Sequence, residues 1–143
     1  MKTFKIKTLY FPLFFAFIMR LVYLGHVMEN PYFRAPVLDG LYHDNWAQSI
    51  AKGEWTPSEP FFRAPLYPYY LGIVYTIFGH GYFIPRLLIL VLGVLTLYLV
   101  YRIAEMAFNQ YVGFIALVLA AGYRTLIYFE GELLITGLLT FLV

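Results

Sequence analysis

Long apolar segments constrain this chain more than any other feature of its sequence. Thr8 to Met28, Phe83 to Ala104 and Tyr111 to Phe129 each approach the 20 or so residues that a bilayer-spanning helix needs. A fourth apolar segment begins at Leu133 and runs to Val143. The sequence therefore predicts an all-α, multi-pass integral membrane protein. A helix that stops within a bilayer leaves backbone carbonyls without partners, so we expect residues 1–143 to form the N-terminal part of a polytopic membrane domain.

Composition supports the membrane class and excludes several others. The chain is 62% apolar and only 13% charged, whereas soluble domains carry about 25% charged residues. Its net charge of +2, without any Lys/Arg tract, predicts no nucleic-acid partner. The absence of cysteine excludes disulfides, thiolate metal sites and a cysteine nucleophile. The sequence also lacks a glycine-rich phosphate loop and a Ser/His/Asp set, so a soluble nucleotide-sugar mechanism has no support.

Charge at the N-terminus predicts the orientation. Lys2, Lys5 and Lys7 precede the first apolar segment, which places the N-terminus in the cytoplasm by the positive-inside rule. A cleaved signal peptide is the alternative interpretation. Arg20 argues against it, because it lies where the apolar core should end and no small-x-small cleavage site follows.

The stretch from Pro65 to Gly79 decides the topology. It has only about 15 residues, is rich in tyrosine and carries a proline in its first turn, so we expect a helix along the outer membrane surface rather than a span. The first external loop then covers about residues 29 to 82. Glu130 and Glu132 emerge on the same outer face as Asp39, and the two acidic clusters can share a site.

A second surface helix is predicted within that loop, from Leu41 to Ala51. Apolar and aromatic side chains recur at helical spacing on one side, and polar ones occupy the others. Gly53 fits a C-cap and Asp39 an N-cap. Glu54 to Pro60, with two prolines, is predicted to be a connector. The aromatic and apolar face consists of Tyr42, Trp46 and Ile50; the polar sides carry Asp44, Asn45, Gln48 and Lys52.

Asp39 is the strongest candidate for chemistry, as a general base that takes a proton from an attacking hydroxyl. The alternative is a purely structural N-cap. Asp44 lies five residues later and projects in a different direction, so only one of the two faces a given substrate; the alternative for Asp44 is a solvated helix face.

The arginines divide into two groups. Arg63 and Arg86 lie in or beside the external loop and are candidates for neutralising a lipid phosphate; the alternative is that they are snorkelling anchors. Arg20 and Arg124 lie within apolar segments, where a charge usually needs a partner. Glu130 or Glu132 can pair with Arg20, and Glu130 with Arg124 or water, and a structural ion pair is favoured over direct catalysis.

No metal site follows from spacing. His26, His43 and His80 form no His-x₃-His or His-Glu pair. Of the three, only His43, close to Asp39 and Asp44 in the sequence, is considered as a metal ligand. The metal is unknown, no cofactor is certain, and a divalent cation stays open as an alternative.

A series of motifs resembles a known family and covers nearly the whole chain. The motifs are Leu38-Asp39-x-x-Tyr42-x-Asp44-x-Trp46-Ala47-x-x-Ile50-Ala51-x-Gly53, Phe61-Phe62-Arg63-Ala64-Pro65-Leu66-Tyr67-Pro68-Tyr69-x-Leu71, Tyr75-x-x-Phe78-Gly79, Pro85-Arg86-Leu87 and Ile127-Tyr128-Phe129-Glu130-Gly131-Glu132-Leu133-Leu134. In this order they resemble the bacterial membrane glycosyltransferases of the dolichyl-phosphate-mannose protein mannosyltransferase type, glycosyltransferase family 39, with the GT-C fold.

The resemblance implies specific roles. Asp39 matches the family's catalytic aspartate in the first external loop, and Glu132, rather than Glu130, matches the acidic residue of the second. The two surface helices after the first span are also a family feature. One departure is Gly40, where many relatives carry an acidic residue; this departure argues against the protein-O-mannosylating branch.

We therefore expect the N-terminal part of an inverting membrane hexosyltransferase of the cell envelope, in the bacterial inner (plasma) membrane. The expected donor is a polyprenyl-phosphate sugar in the membrane lipid, and the acceptor is a hydroxyl or amine on a protein, lipid or glycan. Asp39 and Glu132 are the predicted catalytic residues. The predicted substrate-binding residues are Tyr42, Asp44, Trp46, Arg63 and Arg86. Residues 1–143 are expected to be inactive alone. The alternatives are a transporter or flippase fragment, with Arg20, Arg124 and Glu132 as an ion path, and a non-catalytic membrane subunit.

Overall fold

The computed structural model describes residues 7–56 and 63–143, and every regular element in these ranges is helical. The all-α class is confirmed for this part of the chain. Lys2, Lys5, Phe61, Phe62 and most of the predicted Glu54–Pro60 connector lie outside the described residues. A short 3₁₀-helix, Pro31–Phe33, follows the first α-helix. The α-helices are α1 (Lys7–Met28), α2 (Leu38–Ala51), α3 (Leu66–Phe78), α4 (Phe83–Ala107), α5 (Gln110–Ala121), α6 (Arg124–Gly131) and α7 (Ile135–Leu142).

Two of the described helices are long and apolar enough to cross a membrane. They are α1, over its 21 residues Thr8–Met28, and α4, with 25 residues. A third crossing exists if α5 and α6 together form one broken span, because they pass the same test as a pair bent by 55°. The described chain thus has two to three candidate transmembrane helices.

The single helix expected from Tyr111 to Phe129 is not continuous. Asn109 starts α5 by accepting hydrogen bonds from the backbone N–H groups of Tyr111 (3.0 Å) and Val112 (3.1 Å). The helix ends at Gly122, and Tyr123 has an extended backbone before α6 begins. The fourth apolar segment contains α7, which has eight residues.

Helix α4 is the centre of the molecule and packs against α1, α5, α6 and α7. Helix α1 shows the resulting division into two faces. Leu9, Ala16 and Leu24 are buried, whereas Phe11 is 77% and Phe14 65% exposed. Large exposed apolar side chains on a span are expected where the helix meets lipid rather than protein.

Helices α2 and α3 pack against each other beside this bundle. At about 1.5 Å per residue, the 13 residues of α3 cover about 20 Å, which is short of the roughly 30 Å hydrocarbon core of a bilayer. Helix α3 ends at Gly79, whose φ of +82° lies in the region that favours glycine. The length of α3 agrees with a helix that does not span.

The start of α2 differs from the prediction. It begins at Leu38 rather than Leu41, and its N-cap is Val37, which provides no side-chain hydrogen bond. The N-cap interpretation of Asp39 is therefore wrong, because Asp39 lies inside the first turn. The C-cap is Lys52, and Gly53 follows it with φ +99°. A carboxylate in the first turn still interacts favourably with the positive end of the helix dipole.

Candidate active site

A cavity of about 280 Å³ opens where the start of α2, the start of α4 and the α6–α7 connection meet. The charged side chains in its lining are Asp39, Arg86 and Glu132. Its other lining residues are Tyr32, Pro36, Val37, Leu38, Gly40, Leu133 and Leu134. Asp39 and Glu132 are 93 positions apart in the chain, and the fold brings them to one cavity. The two acidic clusters therefore lie on the same side of the described bundle.

Asp39 is presented by a strained backbone. Leu38, directly before it, has a φ of +52°, which an L-residue with a branched side chain rarely adopts. The Leu38 side chain is 86% exposed, so no apolar burial compensates locally for this conformation. Strain of this kind costs about 1–3 kcal/mol and is concentrated at functional sites.

Arg63 is the ion-pair partner of Asp39. Its Nη1 donates to Asp39 Oδ2 at 2.7 Å, and both side chains are about two-fifths exposed, 39% and 42%. The pair links α2 to the segment just before α3. Since it is open to solvent, its contribution to stability is small, about 0–1 kcal/mol, and another anion can compete for the guanidinium.

Arg86 is buried, with 2% of its surface exposed, so the snorkelling interpretation is wrong. Its Nε donates to the Gly131 carbonyl at 2.7 Å, and its Nη1 donates to the carbonyls of Phe33 and Tyr82, both at 3.2 Å. The guanidinium also lies over the Phe33 ring, 4.2 Å from the centroid. These carbonyls hold the group rigidly without neutralising it. Within the described residues no carboxylate forms a direct ion pair with Arg86, although Glu132 in the same cavity acts on it electrostatically.

Glu132 follows α6 directly, as its C-cap residue, and is half-buried. No hydrogen bond or ion pair involves its carboxylate in the ranges 7–56 and 63–143. The cavity thus contains one paired carboxylate, one unpaired carboxylate and one fixed cation. This set can accept a proton, orient a polar group and bind an anion.

Asp44 is not on a solvated face, and that alternative is wrong. The residue is 2% exposed and accepts four hydrogen bonds. It does not line the Asp39 cavity. The donors are Tyr75 Oη (2.7 Å), His80 Nε2 (3.0 Å), Tyr82 Oη (3.1 Å) and Gln48 Nε2 (2.9 Å).

Tyr42 and Trp46 also lie outside the cavity lining. Their rings contact each other edge-on at 5.9 Å, and Trp46 meets Tyr69 of α3 at 6.0 Å. Trp46 therefore lies against α3, and Tyr42 packs beside it on α2. Sugar stacking on them stays a prediction that no contact in the structure supports.

His43 is buried, 4% exposed, and its ring contacts Tyr67 edge-on at 5.2 Å. Burial lowers the pKa of His43 below its ordinary value of 6.5; nearby Asp39 opposes this shift and Arg63 adds to it. Its Nδ1 is buried without a hydrogen-bond partner in the described residues. Among those residues no group of three or more His, Cys, Asp or Glu side chains could hold a metal ion.

The intramembrane arginines differ from each other. Arg20 is fully buried, and its Nε and Nη2 donate to the two carboxylate oxygens of Glu130 at 2.6 and 3.1 Å. Glu130 therefore serves Arg20 and not Arg124, which is exposed. This two-point ion pair joins α1 to α6, and neither of its residues lines the open cavity.

Comparison with known families bears on the same residues. The family model described as dolichyl-phosphate-mannose-protein mannosyltransferase matches residues 60–142, more than half of the chain. The chain belongs to this family. It is a family of glycosyltransferases, and the helical spans described above agree with a membrane enzyme. No curated protein and no solved structure shows significant similarity to the chain.

The family match includes Arg63, Arg86 and Glu132 but begins after Asp39. Asp39 is linked to the matched region by geometry instead, through its ion pair with Arg63 and the cavity that it shares with Arg86 and Glu132. Sequence reasoning missed the Arg63–Asp39 pair and the apolar cavity wall of Pro36, Leu133 and Leu134. The motif Pro85-Arg86-Leu87 marked Arg86 as a candidate site residue, but it did not predict that the side chain would be buried.

Proposed function

We propose that this chain carries the acceptor-activating part of a membrane glycosyltransferase that uses a polyprenyl-phosphate sugar as donor. The observation that carries the proposal is the cavity in which Asp39 and Glu132 meet the buried cation Arg86. A phosphosugar and an acceptor hydroxyl together need one anion-binding group and one base, and the cation and carboxylates that line this cavity suit these roles. Family membership supports glycosyl transfer and suggests mannose as the first sugar to test.

Asp39 is the proposed general base. Its carboxylate takes the proton of an acceptor hydroxyl or amine as that group attacks the anomeric carbon. The new bond to carbon forms on the face opposite the phosphate, the bond between carbon and phosphate oxygen breaks, and its electron pair leaves with the polyprenyl phosphate. The anomeric centre is inverted, and a positioned base of this kind contributes about 10²–10⁴ in rate.

Arg86 and Arg63 are proposed to receive the leaving phosphate. Arg86 is held by three backbone carbonyls, so it meets the developing charge without reorganising. Arg63 has a solvent-accessible pair with Asp39. A donor phosphate can compete for Arg63, and when Arg63 leaves Asp39 the carboxylate is free to accept a proton from the acceptor. Glu132 is proposed to orient the acceptor, or to hold a divalent cation with Asp39 when one is bound.

The proposed location is a bacterial plasma membrane with the cavity facing outward, where a lipid-linked donor and an envelope acceptor meet. The fully enclosed Arg20–Glu130 pair supports a structural role for these charges rather than the ion path that a transporter would need.

The test measures transfer from radiolabelled polyprenyl-phosphate mannose, and then other hexoses, to envelope protein and lipid in membranes that contain the full-length protein. Asp39→Asn should lower the turnover number at least 100-fold while donor binding changes little. Glu29→Gln makes the same carboxylate-to-amide change at an exposed position outside the cavity and should match the wild type. Full activity of Asp39→Asn would overturn the assignment.

A further inference from the structure

We propose that Asp44 is a positioning residue for glycosyl transfer, which holds the helix carrying Asp39 in fixed register with the start of the helix carrying Arg86. The catalytic part of this inference rests on the proposed function. The register itself can be measured without any activity.

The hydrogen bonds of Asp44 connect three parts of the fold. Within α2, Gln48 donates to Oδ2. From α3, Tyr75 donates to Oδ1. From the short segment between α3 and α4, His80 donates to Oδ1 and Tyr82 to Oδ2. A carboxylate that is 2% exposed and accepts four hydrogen bonds allows little movement of any of these parts.

One of these donors, Tyr82, also contacts Arg86, which lines the cavity. The Tyr82 hydroxyl donates a hydrogen bond to Asp44, and the backbone carbonyl of Tyr82 accepts one from Arg86 Nη1 at 3.2 Å. On α2, Asp39 lies five residues before Asp44, about 7.5 Å along the helix axis. Tyr82 thus joins, through its hydroxyl and its carbonyl, the helix of the proposed base to the proposed phosphate-binding guanidinium.

The two tyrosines remain donors over the whole working range of pH. Burial raises the pKa of Tyr82 to about 12, with a further contribution from Asp44. Burial and the hydrogen bond to Asp44 raise the pKa of Tyr75 as well. Both hydroxyls therefore keep their protons and continue to bind Asp44 under all conditions in which transfer can be measured.

Tyr82 and Tyr75 form a matched pair for the experiment. Tyr82→Phe and Tyr75→Phe each remove one hydroxyl that donates to Asp44, at 3.1 and 2.7 Å. Of these two tyrosines, only Tyr82 also accepts a hydrogen bond from Arg86 in the described part of the chain, through its backbone carbonyl. Tyr82→Phe should lower kcat about 10-fold with donor KM unchanged within a factor of two, whereas Tyr75→Phe should keep kcat within a factor of two. Equal losses of kcat that follow equal losses of thermal stability would overturn the inference.

A distance measurement separates this inference from the proposed function. The chain has no cysteine, so spin labels on cysteines introduced at Leu41 and Phe83, both exposed, report only the α2-to-α4 distance. The distance distribution of the full chain should broaden in Tyr82→Phe and Asp44→Asn and stay narrow in Tyr75→Phe. If Asp39→Asn keeps full activity, the proposed function fails. The distance distribution then still tests whether Asp44 fixes the position of α2 relative to α4, because it needs no activity. Unchanged distributions in Tyr82→Phe and Asp44→Asn would overturn the inference.

Discussion

Asp39 and Asp44 lie on the same helix, α2, but in opposite environments. Five residues at about 100° each place them about 140° apart around α2. The Asp39 side chain is 42% exposed, lines the open cavity and pairs with Arg63, whereas Asp44 is enclosed by four donors. The spacing predicted that the two would face different directions. Which of them would be buried depends on the Tyr75, His80 and Tyr82 side chains, which come from other elements.

His43 gives a prediction for pH at the residue scale. Burial lowers its pKa in the folded chain below 6.5. The unfolded chain therefore binds more protons as pH falls through about 6.5, and the stability that neutral His43 contributes above this pH is lost below it. Between pH 7.5 and pH 5.5 the melting temperature of His43→Gln should fall less than that of the wild type. The difference should be roughly 2–4 °C for each kcal/mol of stability that the wild type loses through His43.

Thermal unfolding in detergent measures this difference. His26→Gln changes an exposed histidine on α1 and should keep the acid sensitivity of the wild type. The interpretation is wrong if His43→Gln and the wild type lose stability in parallel.

At the scale of elements, α2 and α3 approach each other closely at Gly72. A Cβ added there would lie 2.6 Å from Ile50 Cγ2 and 2.7 Å from Ile50 Cβ. The second contact is with the base of a stiff β-branched side chain, which cannot rotate away. Helix α3 can therefore lie against α2 only with glycine at this position, and this contact helps set where the Asp44 partners meet.

Gly72→Ala should destabilise the chain by about 1–3 kcal/mol, because overpacking forces the two helices apart. It should also lower transfer activity, through the displaced α3–α4 segment. Gly25→Ala is the matched control, since a Cβ at Gly25 has nothing within 4 Å. Thermal unfolding and transfer rates of the two variants decide the matter: equal behaviour would show that the α2–α3 contact tolerates the methyl group.

At the scale of the whole molecule, the Arg20–Glu130 pair joins the first helix to the sixth. Both groups are buried, at 0% and 6% side-chain exposure, and removing one partner from such a pair leaves an uncompensated charge. Arg20→Leu or Glu130→Leu should each cost about 3–5 kcal/mol, whereas the double variant should recover much of that loss. Protein yield in the membrane and thermal unfolding measure the effect. Additive losses in the double variant would show that the two charges do not act as a pair.

Orientation gives a second prediction at this scale. With the N-terminus in the cytoplasm, α1 leads outward and α4 leads back. A cysteine at Trp55 or Gly81 should react with an impermeant reagent in intact cells, and one at exposed Asn109 should react only after the membrane is opened. The reverse pattern would place the Asp39 cavity on the cytoplasmic face and remove the case for an external acceptor.

The sequence by itself determined the helical membrane class, the positions of α1 and α4, and the family. These features rest on local composition and on motifs in a fixed order, which need no knowledge of packing. The meeting of Asp39 with Glu132 was predicted from topology, because helices that end on the same face bring their ends together. The structure places both residues at one cavity.

Only the tertiary structure decided how the polar groups were divided among partners. The expected third span is interrupted at Gly122 and Tyr123, and Glu130 pairs with Arg20. Arg86 is buried and donates to three backbone carbonyls, and Asp44 is enclosed by its donors. The physical reason is that a buried charge must find its partners in space. The partners that sequence cannot supply are distant along the chain: Tyr75 lies 31 positions from Asp44, and Glu130 lies 110 positions from Arg20. Periodicity describes a helix and its faces, but the identity of the side chain opposite each face is set when the helices pack.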